Sequence, residues 1–171
     1  MKLSFSHGSD RSAACRKRPP EELAKLPPNL RTRPITKDDF DHIVRVVDHW
    51  WEGPIAVLAH PMFFYEFGKW ARVVEDMANG GRLVGFLLGF VVAAEADKAA
   101  LGYVHLVGID PSYRRKGVAR ALYQDFAETC LRQGCRRLKA ITTAGNEGSI
   151  RFHQAMGWTA HEEGDYAGPG R

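Results

Sequence analysis

Cysteine is scarce in this sequence, and long apolar runs are missing from it. The 171 residues include three cysteines, an odd number whose spacing fits neither a metal site nor a disulfide framework. We therefore expect reduced thiols in a cytoplasmic protein, with no disulfide and no bound metal. No apolar run approaches the roughly 18 residues that a membrane-spanning helix requires, and the N-terminus lacks the apolar segment of a secretory signal. These absences predict a soluble protein that makes no use of a membrane.

Two common phosphate-binding motifs are absent as well. The chain contains neither the Gly-x-x-x-x-Gly-Lys-Ser/Thr of a P-loop nor the Gly-x-Gly-x-x-Gly of a dinucleotide-binding fold. The length and composition are ordinary, since 171 residues of which 44% are hydrophobic suit one globular domain. Any phosphate site in this chain must therefore be of another kind.

Positive charge is concentrated near the N-terminus. The net charge is +4, but residues 1–34 hold eight Lys or Arg and three Asp or Glu, which is +5, so the remainder carries −1. Residues 1–29 show little periodicity, which predicts a flexible basic arm ahead of a single domain at 30–171. The cationic run at 16–18 could contact nucleic acid, but a solvated arm is the more common explanation. We do not expect nucleic acid as a partner.

Apolar periodicity predicts strands and helices across the remainder of the chain. Thr36 followed by acidic residues indicates a helix start, and Asn79-Gly80 indicates a hairpin turn. The predicted strands lie at 30–35, 71–75, 82–92, 101–109 and 138–142, and the predicted helices follow Thr36, begin near 62, end near Gly134 and span 149–156. The order of elements is therefore β-α-α-β-β-β-α-β-α.

One stretch, at 110–122, joins the fourth predicted strand to the helix after it. Three consecutive cations, Arg114, Arg115 and Lys116, stand directly before Gly117. A helix begins there with unpaired backbone N–H groups and a partial positive charge. Glycine also allows the backbone to approach a ligand closely. The junction is therefore a candidate phosphate site.

Two motifs resemble those of the GNAT superfamily of N-acetyltransferases. Residues 114–119 resemble its Gln/Arg-x-x-Gly-x-Gly/Ala signature, and residues 107–114 are similar to the strand and strand exit before it. Residues 146–158 resemble the family's Asn-x-x-Ala/Ser-x-x-Phe-Tyr-x-x-x-Gly-Phe segment. With the order of elements, the resemblance covers 30–158. It implies the GNAT fold, an α/β (α+β) architecture with a central mixed, mostly antiparallel sheet flanked by helices.

The resemblance also implies acetyl-CoA, or a related acyl-CoA, as acyl donor. Backbone N–H groups at 115–119 would hold its pyrophosphate, and an N–H near Val107 or Gly108 would polarise the acyl carbonyl. Gly108 is consistent with a strand bulge there. In an alternative interpretation Asn146 only caps the last helix. The full set of expected donor-binding residues is Val107, Ile109, Arg114, Arg115, Lys116, Gly117, Val118, Ala119, Asn146, Ser149 and Phe152.

Two histidines are candidate catalytic groups by the same resemblance. His153 stands where many members have a tyrosine that protonates the departing thiolate, and His105 stands where some have a glutamate facing the acceptor. A histidine pKa suits proton transfer near neutral pH. We therefore expect His105 as general base and His153 as general acid. The alternatives are that His105 is a core residue and that His153 only packs against the donor.

Two tryptophans and two carboxylates end the first predicted helix, in the region that borders the acceptor in this superfamily. These residues are Asp48, Trp50, Trp51 and Glu52. Aromatic rings beside carboxylates can hold a cationic amine. We expect a small primary amine as acceptor, such as an amino-sugar antibiotic, a polyamine or an amino acid, acetylated directly by the donor. A protein N-terminus or lysine is an alternative acceptor, and a non-catalytic acyl-CoA-binding regulator is a further alternative.

The C-terminal end of the chain departs from the family pattern. The chain stops at 165–171, where relatives usually continue into a final strand, so we expect that strand to be truncated. Either the chain is incomplete or another chain completes the sheet, because an unpaired edge invites association. A homodimer is one arrangement that this would allow.

Overall fold

The computed structural model describes residues 2–8, 26–96 and 98–163. Seven strands form one sheet within these residues, in the order β2-β3-β4-β5-β6-β1-β7. The strands are β1 (Lys2–Gly8), β2 (Leu30–Pro34), β3 (Arg72–Asp76), β4 (Arg82–Val92), β5 (Leu101–Ile109), β6 (Arg137–Thr143) and β7 (Thr159–Glu163). The helices are α1 (Asp39–Trp51), α2 (Met62–Tyr65), α3 (Val118–Arg132) and α4 (Glu147–Ala155).

The expected fold class is confirmed. The only parallel pair in the described sheet is β5 with β6, and the other neighbours are antiparallel. Turn and helix-end residues in the sequence predicted most of the helix and strand boundaries correctly. The hairpin between β3 and β4 turns through Gly80 and Gly81, whose φ angles of 64° and 76° suit glycine. The helix α3 ends before Gly134, which has a φ of 79°.

Helices cover both faces of the sheet. On one face, Leu122 and Phe126 of α3 are fully buried in a cluster that includes Val74 of β3. On the other face, Ile43 and Val47 of α1 are fully buried in a second cluster that includes strand residues. Burying a large apolar side chain contributes roughly 1.5–3 kcal/mol. These two layers fix α1 and α3 on opposite sides of the central strands.

The expectation of a flexible arm through residue 29 is wrong for residues 2–8. They form β1, which pairs antiparallel with β6 on one side and with β7 on the other. Phe5 is fully buried opposite Ala140 of β6, and its burial holds the strand in the sheet. The apolar signal is only Leu3 and Phe5 between polar residues, too short to predict a strand. The basic run at 16–18 lies outside the described residues.

The expectation of a missing final strand is also wrong. Residues 159–163 form β7, but this strand pairs with β1 and not with β6. The place beside β6 is taken by the chain's own N-terminal strand, so the described sheet needs no second chain to cover β6. Sequence patterns could not predict the pairing of β1 with β7, because the two strands are far apart in the sequence.

The strands β5 and β6 run together for four residue pairs and then separate. Their pairing extends from Leu101 with Arg137 to Val104 with Ala140. On its other side β5 pairs with β4, where Leu88 pairs with Leu106 and Gly89 pairs with Val104. His105 lies between these two pairs and therefore forms a β-bulge. A bulge bends a strand and increases its twist. The departure of β5 from β6 therefore coincides with the bulge at His105.

The bulge expected at Gly108 is not there. The register is continuous through the pair of Phe86 and Gly108. A Cβ atom at Gly108 would lie 2.4 Å from Cε1 of Phe86, so glycine is needed to make room for the phenyl ring.

Candidate active site

A cleft of about 750 Å³ opens where β5 and β6 separate. Its walls come from the divergent strands, the first turns of α3, the helix α4 and the C-terminal end of α1. The described residues that line it are Trp50, Trp51, Glu52, Val104, His105, Leu106, Val107, Ile109, Arg114, Ala119, Tyr123, Ala140, Ile141, Thr142, Thr143, Gly145, Asn146, Gly148, Ser149, Phe152 and His153. Both candidate histidines are therefore brought into one cleft with most of the expected donor-binding residues.

One end of the cleft is the N-terminus of α3. Gly117 caps this helix with a φ of 82° and offers no side chain to the first backbone N–H groups. Ala119, one residue into the helix, lines the cleft, whereas the Val118 side chain is buried in the core. Arg115 has a φ of 61°, a conformation that costs energy for a non-glycine residue and is common in functional loops. The helix start is thus shaped to receive an anion.

The loop before α3 is held in place by two carboxylates. Asp110 accepts hydrogen bonds from the Ser112 N–H at 2.9 Å and from Arg82 at 2.6 Å. Asp76, at the end of β3, accepts from the Tyr113 hydroxyl at 2.6 Å and from Asn79 at 2.7 Å. The Tyr113 hydrogen bond, together with the amide donors, lowers the pKa of Asp76 to about 2. The loop conformation is therefore built by residues that sequence analysis did not connect.

The three cations of the loop have different surroundings. The guanidinium of Arg114 donates a hydrogen bond to the Trp50 carbonyl at the C-terminal end of α1. The Lys116 ammonium lies 4.8 Å from the Tyr113 ring centroid, and Arg115 is exposed. Arg114 thus ties the loop to α1, while Arg115 and Lys116 stay accessible at the helix start.

His105 is held in one tautomer. Its Nε2 lies 3.0 Å from the Leu58 carbonyl, and since a carbonyl oxygen only accepts, Nε2 carries the proton. This leaves Nδ1 without a proton and able to accept one. The ring stacks on Phe63 with centroids 4.4 Å apart. Burial lowers the pKa of His105, so the imidazole is neutral at neutral pH.

His153 is more deeply buried than His105 and uses both ring nitrogens. Nδ1 lies 2.8 Å from the Ser149 carbonyl and therefore donates to it. Nε2 lies 3.0 Å from the Tyr123 hydroxyl and accepts its proton. The ring also stacks on Phe5, with centroids 4.6 Å apart. Burial lowers the pKa of His153 and raises that of Tyr123 well above its usual value.

Tyr123 is a site residue that sequence analysis missed. It lies four residues after Ala119 on α3, and residues at this spacing share one helix face. Since Ala119 was already expected at the cleft, that spacing was a usable signal. The contact with His153, thirty residues away, could not have been inferred.

Asn146 caps α4, as the alternative interpretation held. Its Oδ1 accepts a hydrogen bond from the Ser149 N–H at 3.0 Å. Asn146 also lines the cleft together with Ser149 and Phe152. The cap therefore does not remove it from the set of candidate donor contacts.

The two tryptophans at the end of α1 differ in environment. Trp50 is buried and stacks on Phe86 with centroids 6.0 Å apart. Trp51 is 39% exposed, and its indole N–H donates to the Val107 carbonyl at 2.9 Å. Trp50 is thus a core residue on the cleft wall, and Trp51 is a rim residue.

The two expected carboxylates also differ. Oδ1 of Asp48 accepts hydrogen bonds from the Ile55 and Ala56 N–H groups at 2.7 and 2.6 Å, and Asp48 is not among the residues that line the cleft. Glu52 is exposed, lines the cleft and has a φ of 56°. The structure therefore assigns Asp48 to the turn after α1 and leaves Glu52 at the cleft.

Among residues 2–8, 26–96 and 98–163, no group of three His, Cys, Asp or Glu side chains could hold a metal ion. None of the helices described in these ranges combines the length and apolar character needed to cross a membrane.

Comparison with known sequences identifies one family. A sequence profile described as the acetyltransferase (GNAT) family matches residues 43–158. An uncharacterized N-acetyltransferase of Methanocaldococcus jannaschii is 24% identical over 154 residues, which cover 82% of this chain and 66% of that protein. The chain spans less than half the length of two further curated relatives.

Comparison with solved structures finds the same fold. A GCN5-related N-acetyltransferase from Sphaerobacter thermophilus matches with a TM-score of 0.68 at 18% identity, covering 94% of this chain and 48% of that one. An aminoglycoside N-acetyltransferase in complex with CoA matches with a TM-score of 0.57 at 20% identity, covering 78% of this chain and 90% of that one. At these identities the likeness concerns the fold.

Proposed function

Since this chain belongs to the GNAT family of acetyltransferases, we propose that it transfers an acetyl group from acetyl-CoA to a primary amine of a small molecule. The observation that carries the proposal is the cleft itself. It joins an anion-binding helix start, near Ala119, to a neutral histidine, His105, whose Nδ1 can accept a proton. A structural neighbour that binds CoA and is an aminoglycoside N-acetyltransferase supports both the donor and the acceptor class.

The donor end fits a CoA pyrophosphate. The first N–H groups of α3 have no side-chain cap, and Arg115 and Lys116 add positive charge beside them. Acetyl-CoA supplies a thioester carbonyl for attack by the amine. In an antiparallel strand the N–H and C=O of one residue point to the same side, and the Val107 carbonyl bonds Trp51, another cleft residue. The Val107 N–H is therefore a candidate donor to the thioester oxygen.

The reaction requires a balanced set of proton transfers. An ammonium acceptor loses one proton to become a nucleophile and a second after its nitrogen bonds the acetyl carbon, while the sulfur gains one as the C–S bond breaks. His105 Nδ1 accepts a proton from the amine, directly or through water. The Tyr123 hydroxyl, which lies at the cleft beside His153, is the candidate donor to the sulfur once its hydrogen turns away from His153 Nε2. The net products are amide, CoA and one proton.

The proposal is tested by measuring CoA release from acetyl-CoA with a panel of primary amines. Direct transfer in a ternary complex predicts intersecting initial-rate lines when both substrates are varied. Parallel lines would indicate a covalent acetyl-enzyme and would contradict direct transfer. Release that no amine stimulates would contradict the acetyltransferase proposal.

One observation favours a second candidate, a non-catalytic acyl-CoA-binding protein. His153 is buried and both of its ring nitrogens are engaged within the described structure, so its proton is not directed at a ligand. This candidate predicts donor binding without amine-dependent CoA release. The two functions are therefore separated by the same assay.

A further inference from the structure

We propose that the acceptor is a small monoamine that carries an aromatic or branched alkyl group within a short distance of its ammonium, and that polycations are poor acceptors. This inference rests on the proposed acetyltransferase function and specifies the substrate of the same cleft. It follows from the charges and the apolar side chains at the end of the cleft that contains His105.

The charges at this end match a single ammonium. Of the two carboxylates expected there, Asp48 is engaged by the Ile55 and Ala56 N–H groups. Glu52 is the only carboxylate among the described residues that line the cleft, and Arg114 lines it as a cation. One ammonium can pair with Glu52. Further ammonium groups would share the cleft with the Arg114 cation and would have no second lining carboxylate to offset them, which is unfavourable.

The rim beside His105 is apolar. Trp51 lines the cleft and is 39% exposed, and Leu106, which follows His105 on β5, also lines it. Leu58 is next to the base, because its carbonyl contacts His105 Nε2. The ring of Phe63 stacks on His105. An acceptor bound in the cleft beside His105 therefore meets apolar side chains.

Trp51 is also fixed in orientation. Its indole N–H is engaged by the Val107 carbonyl, so its ring is anchored to the strand that lines the cleft. A fixed indole face can contact both an ammonium and an apolar group. The pairing of one carboxylate with an apolar rim thus fits an amphiphilic monoamine.

The test compares four amines at saturating acetyl-CoA: 2-phenylethylamine, ethylamine, spermidine and kanamycin. We expect kcat/KM for 2-phenylethylamine to exceed each of the others by about tenfold or more, as is typical when an apolar group is added or removed in a pocket. A higher kcat/KM for spermidine or kanamycin would overturn the proposal, and so would equal values for 2-phenylethylamine and ethylamine. A peptide N-terminus that is acetylated faster than every small amine would also overturn it.

Matched variants locate the effect. Trp51→Ser should lower kcat/KM for 2-phenylethylamine by roughly tenfold and that for ethylamine by a smaller factor. Tyr65→Ser is the control, because Tyr65 is 55% exposed on α2 and does not line the cleft. Equal effects of the two variants would contradict the assignment of the rim.

Donor binding is measured in parallel by the shift of the melting temperature with acetyl-CoA. If polycations alone release CoA, the acetyltransferase function stands and this inference fails. If acetyl-CoA binds but no amine releases CoA, the proposed function itself fails, and this inference fails with it.

Discussion

Replacing His105 tests the catalytic part of the account. His105→Ala removes the only imidazole whose Nδ1 is left to accept a proton at the cleft, among the residues described. General base catalysis typically contributes about 10²- to 10⁴-fold to the rate, so we expect kcat to fall by at least about a hundredfold. The cost to stability is modest, because His105 is only half-buried and its polar contact is one carbonyl. Acetyl-CoA should therefore still raise the melting temperature of the variant.

The pH dependence of kcat gives a second readout of His105. Burial lowers the pKa of His105, and the neutral form is the base. The wild-type kcat should therefore rise with pH, with the midpoint of the rise below the usual histidine value of about 6.5. His105→Ala should lose this rise.

The control for His105 is His161→Ala, which removes an exposed histidine on β7. The assay is CoA release at saturating acetyl-CoA and amine. A loss of less than about threefold in His105→Ala, well below a general base contribution, would refute the reasoning. An unchanged pH profile in the variant would refute it as well.

Three further predictions concern the donor loop, acid stability and the N-terminal strand. Tyr113→Phe removes a hydrogen bond to Asp76 and should raise KM for acetyl-CoA roughly three- to tenfold with kcat unchanged; a fall in kcat alone would contradict this positioning role. Burial lowers the folded-state pKa values of His105 and His153. Below the unfolded pKa of about 6.5 the unfolded chain therefore binds more protons than the folded chain. The free energy of unfolding should decline as pH falls below that value. His153→Gln should weaken that decline in urea titrations at several pH values, and an identical decline would exclude His153 as a cause. Phe5→Ala should lower the free energy of unfolding by about 3–5 kcal/mol, and a change below about 1 kcal/mol would show that β1 contributes little.

Local patterns predicted the parts of the site that are built from neighbouring residues. The loop and start of α3 follow from Gly117 and the cations before it, since a helix start needs only local sequence. The hairpin through Gly80 is similarly local. The sequence also predicted where α1 ends. It could not show that the Asp48 carboxylate accepts hydrogen bonds from the N–H groups of Ile55 and Ala56.

The remaining features depend on contacts between distant residues. The pairing of β1 with β6 joins residues about 135 positions apart. The hydrophobic periodicity of a sequence predicts local elements and not pairings between distant ones. The contacts of Tyr123 with His153 and of Tyr113 with Asp76 likewise connect separate elements. The bulge lies at His105, and the glycine at 108 instead makes room for the phenyl ring of Phe86. Steric causes of this kind are visible only in the folded chain.

The most direct test of the central claim is the melting temperature with and without acetyl-CoA. A ligand at about 100 times its dissociation constant adds about 2.7 kcal/mol to the free energy of unfolding, which is roughly 5–11 °C for a domain of this size. The shift should be lost in Gly117→Val, because a φ of 82° disfavours a β-branched residue at the helix start. Gly134→Val is the matched control, with a φ of 79° at the far end of α3, and should keep the shift. No shift in the wild type, or a full shift in Gly117→Val, would contradict a donor site at the start of α3.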